Sequence, residues 1–531
     1  MCGITFIHSD KLNEIDCEST VNKIQHRGPD NEKYVSFKNR VFFGFNRLAI
    51  NDKSEEAMQP FTDNESWLIC NGEIFNWKEL VEEYQLKMRT NCDCEVIIKL
   101  YNKFMTDYER DIVKVGHQLC NVLDGEFSFI IYDETLDKVL TARDPYGVRP
   151  LFFGKTNDSF NTYMYCSEMK GIHNLCQNIE QFRPGCFMID GCDYIRYTNL
   201  KDIKINDQTE DYFLKEINTL FRRAVEKRLM SDREICCLLS GGLDSSLVAG
   251  LVSEHFPPYT VKTFSIGLKG STDLEYAQKV ADHIKSNHTN IEVSKEDFLN
   301  AIEEVIHTIE SYDTTTVRAS VGNYLVSKYI KDNTDCKVVF NGDYSDEVCG
   351  GYKYMSQCND EDEFHKECIR LVEDIHFFDS LRSDRCISAH GLEARVPFAD
   401  KDFVNLYKSI PMKMRMSNER IEKFMLRKAF DKDNIIPYDV LWRKKEAFSD
   451  GVSSPDDSWH NIIKTHVETQ LLDIEYDKMT RDEVNPVSLK ETAYYKSIFN
   501  KYFNFNFQNV IPYYWLPKYC GLINDPSARE I

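Results

Sequence analysis

The 531-residue chain has no excess of basic residues: 65 Lys and Arg stand against 86 Asp and Glu, a formal net charge of −21. That balance excludes a nucleic-acid footprint, which needs a basic face to displace the counterions of the phosphate backbone. It also means that any anionic substrate must be received by local Lys or Arg, backbone N–H groups or metal ions. No apolar run reaches the roughly 18 residues of a membrane helix, so no membrane partner is expected. The start, "MCGITFIHSDKLNE" (1–14), lacks a basic n-region and turns polar within a few residues, unlike a signal peptide. There is no CxxC, no HExxH and no GK[ST], so zinc-site, thiol-redox and Walker A chemistry are not indicated. Internal repeats and low-complexity segments are also missing. The 18 cysteines, spread over a long chain, read as reduced thiols packed as small hydrophobes in a cytoplasmic protein.

With 42% hydrophobic and 12% aromatic residues the chain can bury large cores, and its length suggests two to four domains at roughly 100–200 residues each. The first part is rich in short β-branched or aromatic runs: 41–50, 66–75, 126–133, 138–144 and 162–168. Asn, Asp, Gly and Pro turns separate them, which predicts a layered, mostly antiparallel α+β domain over 2–198. A polar stretch, 199–211, reads as a linker. Beyond it Phe213, Ile217, Leu220, Phe221, Ala224, Val225 and Leu229 recur at helical spacing. The runs "EICCLLS", "TVKTFSIG" and "CKVVFNG" then alternate with amphipathic segments such as 296–309. That alternation predicts an α/β domain with a parallel sheet over 212–531. Three of its strands end in small or polar residues, at Ser240-Gly241-Gly242, Gly267 and Asn341-Gly342-Asp343. Ligands of open α/β sheets bind at such carboxyl ends.

"LLSGGLDSSLVAG" (238–250) follows a strand and opens a helix. Its glycines allow close backbone approach, and Ser245 and Ser246 fall in the first helical turn, where free N–H groups attract phosphate. The string S-G-G-L-D-S-S resembles the pyrophosphate loop of ATP pyrophosphatases. "NGDYSDE" (341–347) crowds three carboxylates after another strand, and a bound polyphosphate would account for them through Mg²⁺, held by Asp244 and Asp346. Lys445 and Arg318 are candidate positive partners. Cys2 would carry a free α-amine if Met1 were removed, making nucleophile and base one residue.

"HRGPD" (26–30), "FNRLAI" (45–50), "NGEIFN" (71–76), "CDCEVI" (92–97) and "DGEFSF" (124–129) together resemble the class II glutamine amidotransferase domain, an αββα N-terminal-nucleophile hydrolase. Joined to S-G-G-L-D-S-S, and with "SEMKGI", "LEARVPFAD", "LWRKKEAFSDGV", "PYYWLPKY" and "DPSAR", the combination resembles the glutamine-dependent asparagine synthetase family over nearly the whole chain. The resemblance implies that Cys2 attacks the glutamine side-chain amide, with Asn71 and the Gly72 N–H as oxyanion hole. It implies Arg47 for the glutamine α-carboxylate, Asp93 and Glu73 for the α-ammonium, and the main chain over 47–51, including Leu48 and Asn51, as pocket frame. Ammonia would pass through an internal channel to a second site. There ATP would activate the aspartate β-carboxylate as β-aspartyl-AMP. Leu239, Ile266, Asn341 and Gly342 would hold the nucleoside, and Ser240, Gly242, Asp244 and Ser245 the pyrophosphate. Lys445 would stabilise charge around the reacting phosphate and carboxylate. The substrates implied are aspartate, glutamine and ATP, the cofactor Mg²⁺, and the assembly a homodimer.

One departure stands out. The family pattern Ser-Gly-Glu-Gly-Ser-Asp-Glu reads here Asn341-Gly342-Asp343-Tyr344-Ser345-Asp346-Glu347. Asp343 therefore replaces a catalytic glutamate on an arm one methylene shorter. Tyr344 replaces glycine, which predicts backbone strain if the position needs positive φ. Two alternatives stay open: an adenylating relative acting on another carboxylic acid, and a glutaminase-competent relative whose ligase site has decayed at 341–344.

Overall fold

The first twelve strands are β1 (Gly3–His8), β2 (Asn31–Phe37), β3 (Val41–Arg47), β4 (Phe61–Asp63), β5 (Ser66–Ile74), β6 (Gly125–Asp133), β7 (Lys138–Arg143), β8 (Phe152–Lys155), β9 (Tyr163–Cys166), β10 (Asn178–Gln181), β11 (Cys186–Ile189) and β12 (Tyr194–Arg196). They form two six-stranded sheets, ordered β10-β8-β9-β1-β3-β2 and β12-β11-β7-β6-β5-β4. This computed structural model describes residues 1–157, 161–417, 420–445, 451–453, 458–480, 487–503 and 510–519.

Period-two alternation stacks the sheets. Ile4, Phe6, Phe43 and Phe45 of the first sheet meet Ile69, Ile130 and Tyr132 of the second in one apolar layer. The opposite face of the second sheet, Cys70, Phe127, Phe129 and Ile131, packs against helices Glu95–Asp107 and Ile112–Val122. Helix Cys17–Asn22 lies on the outer face of the first sheet against β1 and β3. The layers are thus α-β-β-α, as the resemblance implied. All five expected strands are present. β2 escaped the sequence reading because most of its residues are exposed and no apolar alternation marks it.

The remaining strands are β13 (Ile235–Leu238), β14 (Lys262–Leu268), β15 (Asn287–Val293), β16 (Val338–Phe340) and β17 (Glu393–Arg395). All pair in parallel, ordered β15-β14-β13-β16-β17. The order reverses between β13 and β16, so the loops after these two strands diverge and leave a crevice at their carboxyl ends. The expected helices form at Glu210–Lys227, capped by the Thr209 hydroxyl, and at Lys295–Ile309, opened by a Ser294–Asp297 capping box. One hydrophobic core runs across both halves, joining Ile7 and Met164 to Phe264, Ile302 and Trp459. Residues 446–450 of "LWRKKEAFSDGV" and all of "DPSAR" lie outside the described residues.

Candidate functional site

The crevice between β13 and β16 holds a cavity of about 250 Å³. Its walls include Ser240, Gly242, Asp244 and Ser245 on one side and Asn341–Glu347 on the other, with Lys445 above. The two loops touch. A Cβ on Gly342 would stand 2.6 Å from the Ser245 nitrogen and 2.7 Å from the Asp244 carbonyl carbon, so only glycine allows this approach. Gly241 takes φ +74 to turn the chain into helix Leu243–Ser253. The Ser245 hydroxyl is bonded to the Ser240 N–H at 3.1 Å and lies 2.9 Å from the Ser240 hydroxyl, which ties the loop into a cradle at the helix N-terminus.

The acidic turn has its counter-charges. Lys423 Nζ lies 2.6 Å from both Asp244 Oδ2 and Asp346 Oδ1, and Lys445 also pairs with Asp346. Burial opposes ionisation of Asp346, but the two ammoniums outweigh it and hold the carboxyl well below its ordinary range. Two carboxylates already converge on one cationic point, and the Ser345 hydroxyl bonds Asp244 at 2.7 Å. This hard-oxygen pair fits Mg²⁺, which takes one or two carboxylates and completes its shell with phosphate and water.

Arg318 does not supply charge to the cavity. Its guanidinium is held by both oxygens of Glu491, at 2.8 and 2.7 Å, and it is absent from the cavity wall. Lys423 and Arg382 do the work assigned to it. Leu239 and Ile266 are buried in the flanking cores and do not line the cavity, where Leu238 does. The Asn341 amide is spent on the Ser383 hydroxyl at 2.9 Å, which leaves its backbone for any ligand.

Asp343 points Oδ1 at Arg382, while its Oδ2 is buried with no hydrogen-bond partner. Burial drives its pKa up, against the pull of Arg382. Tyr344 has φ +75 and is 2% exposed, with its hydroxyl on Ser380. The strained geometry expected at this position is therefore adopted by tyrosine. Beside it, burial and then Asp379 push Glu347 well above the usual carboxylate range, and the Tyr352 hydroxyl bonds Glu347 at 2.6 Å and Asp379 at 3.2 Å.

The second site lies where β1, β3 and β5 meet. The Cys2 thiol faces the Leu48 carbonyl, with S···O 3.7 Å, and burial pushes it up to about 11. The Met1 amine is buried against the Leu392 carbonyl at 3.0 Å, which lowers it to about 5. Asn71 is 1% exposed, and neither its oxygen nor its nitrogen has a hydrogen-bond partner, a costly arrangement for a buried amide unless a ligand completes it. Gly72 is placed by register. The Phe75 N–H bonds the Asp124 carbonyl, and antiparallel pairs alternate, so the N–H groups of Cys70, Gly72 and Ile74 turn away from β6. The Gln59 side chain takes that of Cys70 at 2.6 Å and Asp93 that of Ile74 at 2.7 Å. The Gly72 N–H between them is left to face the pocket.

Asn51 bridges Glu73 and Asp93. Burial raises both carboxyls, Asp93 to about 6, and their mutual repulsion adds to Glu73. Two buried carboxylates meeting at one amide make a natural ammonium receptor. Arg47 is anchored by the Ser54 carbonyl at 2.7 Å and by that of Asp52, which aims the rest of its guanidinium. Sequence reasoning missed Lys423, Arg382, Glu347, Asp379 and Arg395, whose Nη2 lies 3.4 Å from Glu73 Oε1 across the domain boundary. None carries a local motif.

Comparison with known proteins agrees with this geometry. The glutamine amidotransferase domain profile matches residues 1–189, and the asparagine synthase profile matches 216–360 and 356–498. The glutamine-hydrolysing asparagine synthetases of Gallus gallus and Homo sapiens are each 39% identical over 568 aligned residues, covering 100% of this chain and 98% of theirs. A probable glutamine-hydrolysing asparagine synthetase of Acanthamoeba polyphaga mimivirus is 37% identical over 560 residues, covering 99% of both. Among solved structures, a B. subtilis glutamine phosphoribosylpyrophosphate amidotransferase is 17% identical with a TM-score of 0.31, covering 54% of this chain and 81% of its own, and no argument is built on it. Two family profiles in tandem and full-length kinship at this identity establish that the chain belongs to the glutamine-hydrolysing asparagine synthetase family.

Proposed function

We propose that the protein amidates L-aspartate to L-asparagine with ammonia from glutamine, releasing glutamate, AMP and pyrophosphate. The observation that carries this reading is the coexistence of two built sites in one chain, an ammonium-and-amide pocket at Cys2 and a cradle at the β13/β16 switch point. The division we adopt is a glutaminase domain over 2–198, a linker over 199–211 and a synthetase domain over 212–531.

In the first half-reaction Glu73 and Asp93 receive the glutamine ammonium and Arg47 its carboxylate. The thiol proton of Cys2 passes to its own α-amine once Met1 is removed, because a free α-amine titrates near about 8. The thiolate attacks the side-chain amide, and the oxygen that gains charge is met by the Asn71 amide and the Gly72 N–H. Ammonia leaves, and water then releases glutamate from Cys2.

In the second half-reaction the strand-end backbone at Leu239, Ile266, Asn341 and Gly342 seats the nucleoside. Ser240, Gly242 and Ser245 grip the β- and γ-phosphates. Mg²⁺ held by Asp244 and Asp346 would neutralise phosphate charge when bound. Glu347 and Asp379 offer buried negative charge for the aspartate ammonium. Lys445 steadies the β-carboxylate as its oxygen attacks the α-phosphorus and pyrophosphate leaves. Ammonia then attacks the acyl carbon, Asp343 takes the surplus proton, and AMP departs. We further assign a cytoplasmic site of action, supported by unpaired thiols throughout the described residues, and a homodimer, which light scattering checks. Among the described residues, no helix is long and apolar enough to cross a membrane.

The decisive experiment supplies ATP, aspartate and glutamine and follows asparagine, AMP and pyrophosphate. ADP as product overturns the pyrophosphatase chemistry. Glutamate release without AMP indicates a protein that has kept only its glutaminase, and AMP formed only with another acid changes the substrate.

A further inference from the structure

One buried helix, Asp379–Ser388, is gripped from both sites. From the glutaminase half, Arg27 Nη1 donates to Asp384 Oδ2 at 2.8 Å, and Nη2 to Oδ1 at 3.1 Å. Nη1 also reaches the Ser388 hydroxyl at 3.0 Å, and Nε donates to the Cys2 carbonyl at 3.0 Å. Arg27 is 0% exposed and Asp384 3%, so this fork is desolvated and tolerant of little displacement. From the synthetase half, the same helix holds three consecutive points of the acidic turn's approach. Ser383 takes the Asn341 amide at 2.9 Å, Arg382 takes Asp343 and Ser380 takes the Tyr344 hydroxyl.

Arg382 and Asp384 are two residues apart, about 3 Å of rise along the axis. Only side chains of Arg27 and Arg382 and this short rigid piece separate the backbone of the nucleophile from the carboxylate of the ligase cavity. The Asp343–Arg382 contact is also the one open to ligand, since Asp343 Oδ2 and Arg382 Nε are buried without hydrogen-bond partners at the cavity wall. A phosphate drawing on Arg382, or a substrate ammonium drawing on Asp343, pulls on the helix. A close-packed interior passes such a shift on rather than absorbing it.

Resting on the two-site reading above, we infer that helix Asp379–Ser388 couples the sites, so that filling the ligase cavity tightens the glutamine pocket through Arg382, Asp384 and Arg27. Arg382 and Asp384 are positioning residues in this scheme.

The test measures glutamate release by the full-length enzyme over a range of glutamine concentrations, with and without α,β-methylene-ATP plus aspartate. Occupancy of the cavity is expected to lower the glutamine KM about fivefold or more in the wild type. Asp384→Asn is expected to cut that shift below about twofold while ammonia-dependent synthesis continues. A merely structural role would depress kcat alike with and without nucleotide and leave the ratio untouched. Should Asp384→Asn fail to fold, Ser388→Ala removes one contact of the same grip and should at least halve the shift. A wild type without the shift, or a full shift in whichever of these variants folds, overturns the coupling. If instead no asparagine forms in the wild type under any nitrogen source, the reaction reading fails.

Discussion

Tyr344 sets two effects of opposite sign against each other, and Tyr344→Gly decides between them. Its φ of +75 lies in the left-handed region, where a side chain costs roughly 1–2 kcal/mol. Glycine would recover that. The phenol, however, is 2% exposed among Val348, Val372, Ile375 and Phe398, and its hydroxyl satisfies Ser380. Truncating a buried aromatic costs about 3–5 kcal/mol. Orphaning the buried partner adds about 1 kcal/mol. Packing therefore wins, and Tyr344→Gly should destabilise the synthetase half by about 2–4 kcal/mol, despite restoring the family's residue.

Thermal unfolding of wild type, Tyr344→Gly and Tyr344→Phe under one buffer provides the assay. Tyr344→Phe keeps the ring and the strain and loses only the hydrogen bond, so its loss should be near 1 kcal/mol, well below that of glycine. A Tyr344→Gly protein that melts at or above the wild type would refute the reasoning, because strain would then outweigh burial. A second refuting result is equal loss in both variants, which would put the whole effect on the Ser380 contact.

Cys2→Ala should abolish glutamine-dependent synthesis and leave ammonia-dependent synthesis in place; equal loss with both donors would refute the two-site division. The glutamine KM should depend on pH. Asp93 holds its proton up to about 6 in the folded protein, whereas ammonium recognition needs the carboxylate, so KM should rise as pH falls through 6. A KM flat from pH 5 to 7 would remove Asp93 from the pocket. Lys423→Met leaves Asp244 and Asp346 facing each other without their shared cation; loss of one partner of a buried pair costs about 3–5 kcal/mol, and ammonia-dependent synthesis should fall more than about a hundredfold. Unchanged synthesis in that variant would exclude Lys423 from the cradle. Lys445→Met should suppress AMP formation and spare glutamate release, and parallel loss of both would argue against its assignment to the ligase cavity alone.

What the sequence made legible is whatever had to be local. Gly241 and Gly342 are dictated by a turn and a close approach, and S-G-G-L-D-S-S carries its cradle within one loop and one helical turn. Asn51, Asn71, Gly72 and Asp93 come together because β5 and the loop before Glu95–Asp107 are joined by side chains reaching open strand N–H groups, a pattern that short motifs preserve. Counter-charges obey no such constraint. The ammonium that neutralises Asp244 sits 179 residues away on Lys423, and the guanidinium that holds Asp343 comes from a helix 39 residues downstream. Arg318 shows the converse error: it stands three residues from cavity-lining Thr315, yet its side chain turns to Glu491, and helix position alone cannot say which way it points. The same asymmetry settles how to regard the short arm of Asp343. A missing methylene matters only relative to what the carboxylate must reach, and Arg382 already meets its Oδ1 while Oδ2 faces the cavity unpartnered. Reach at this site is a property of the turn and the helix together, and the helix supplies the part that the substitution removed.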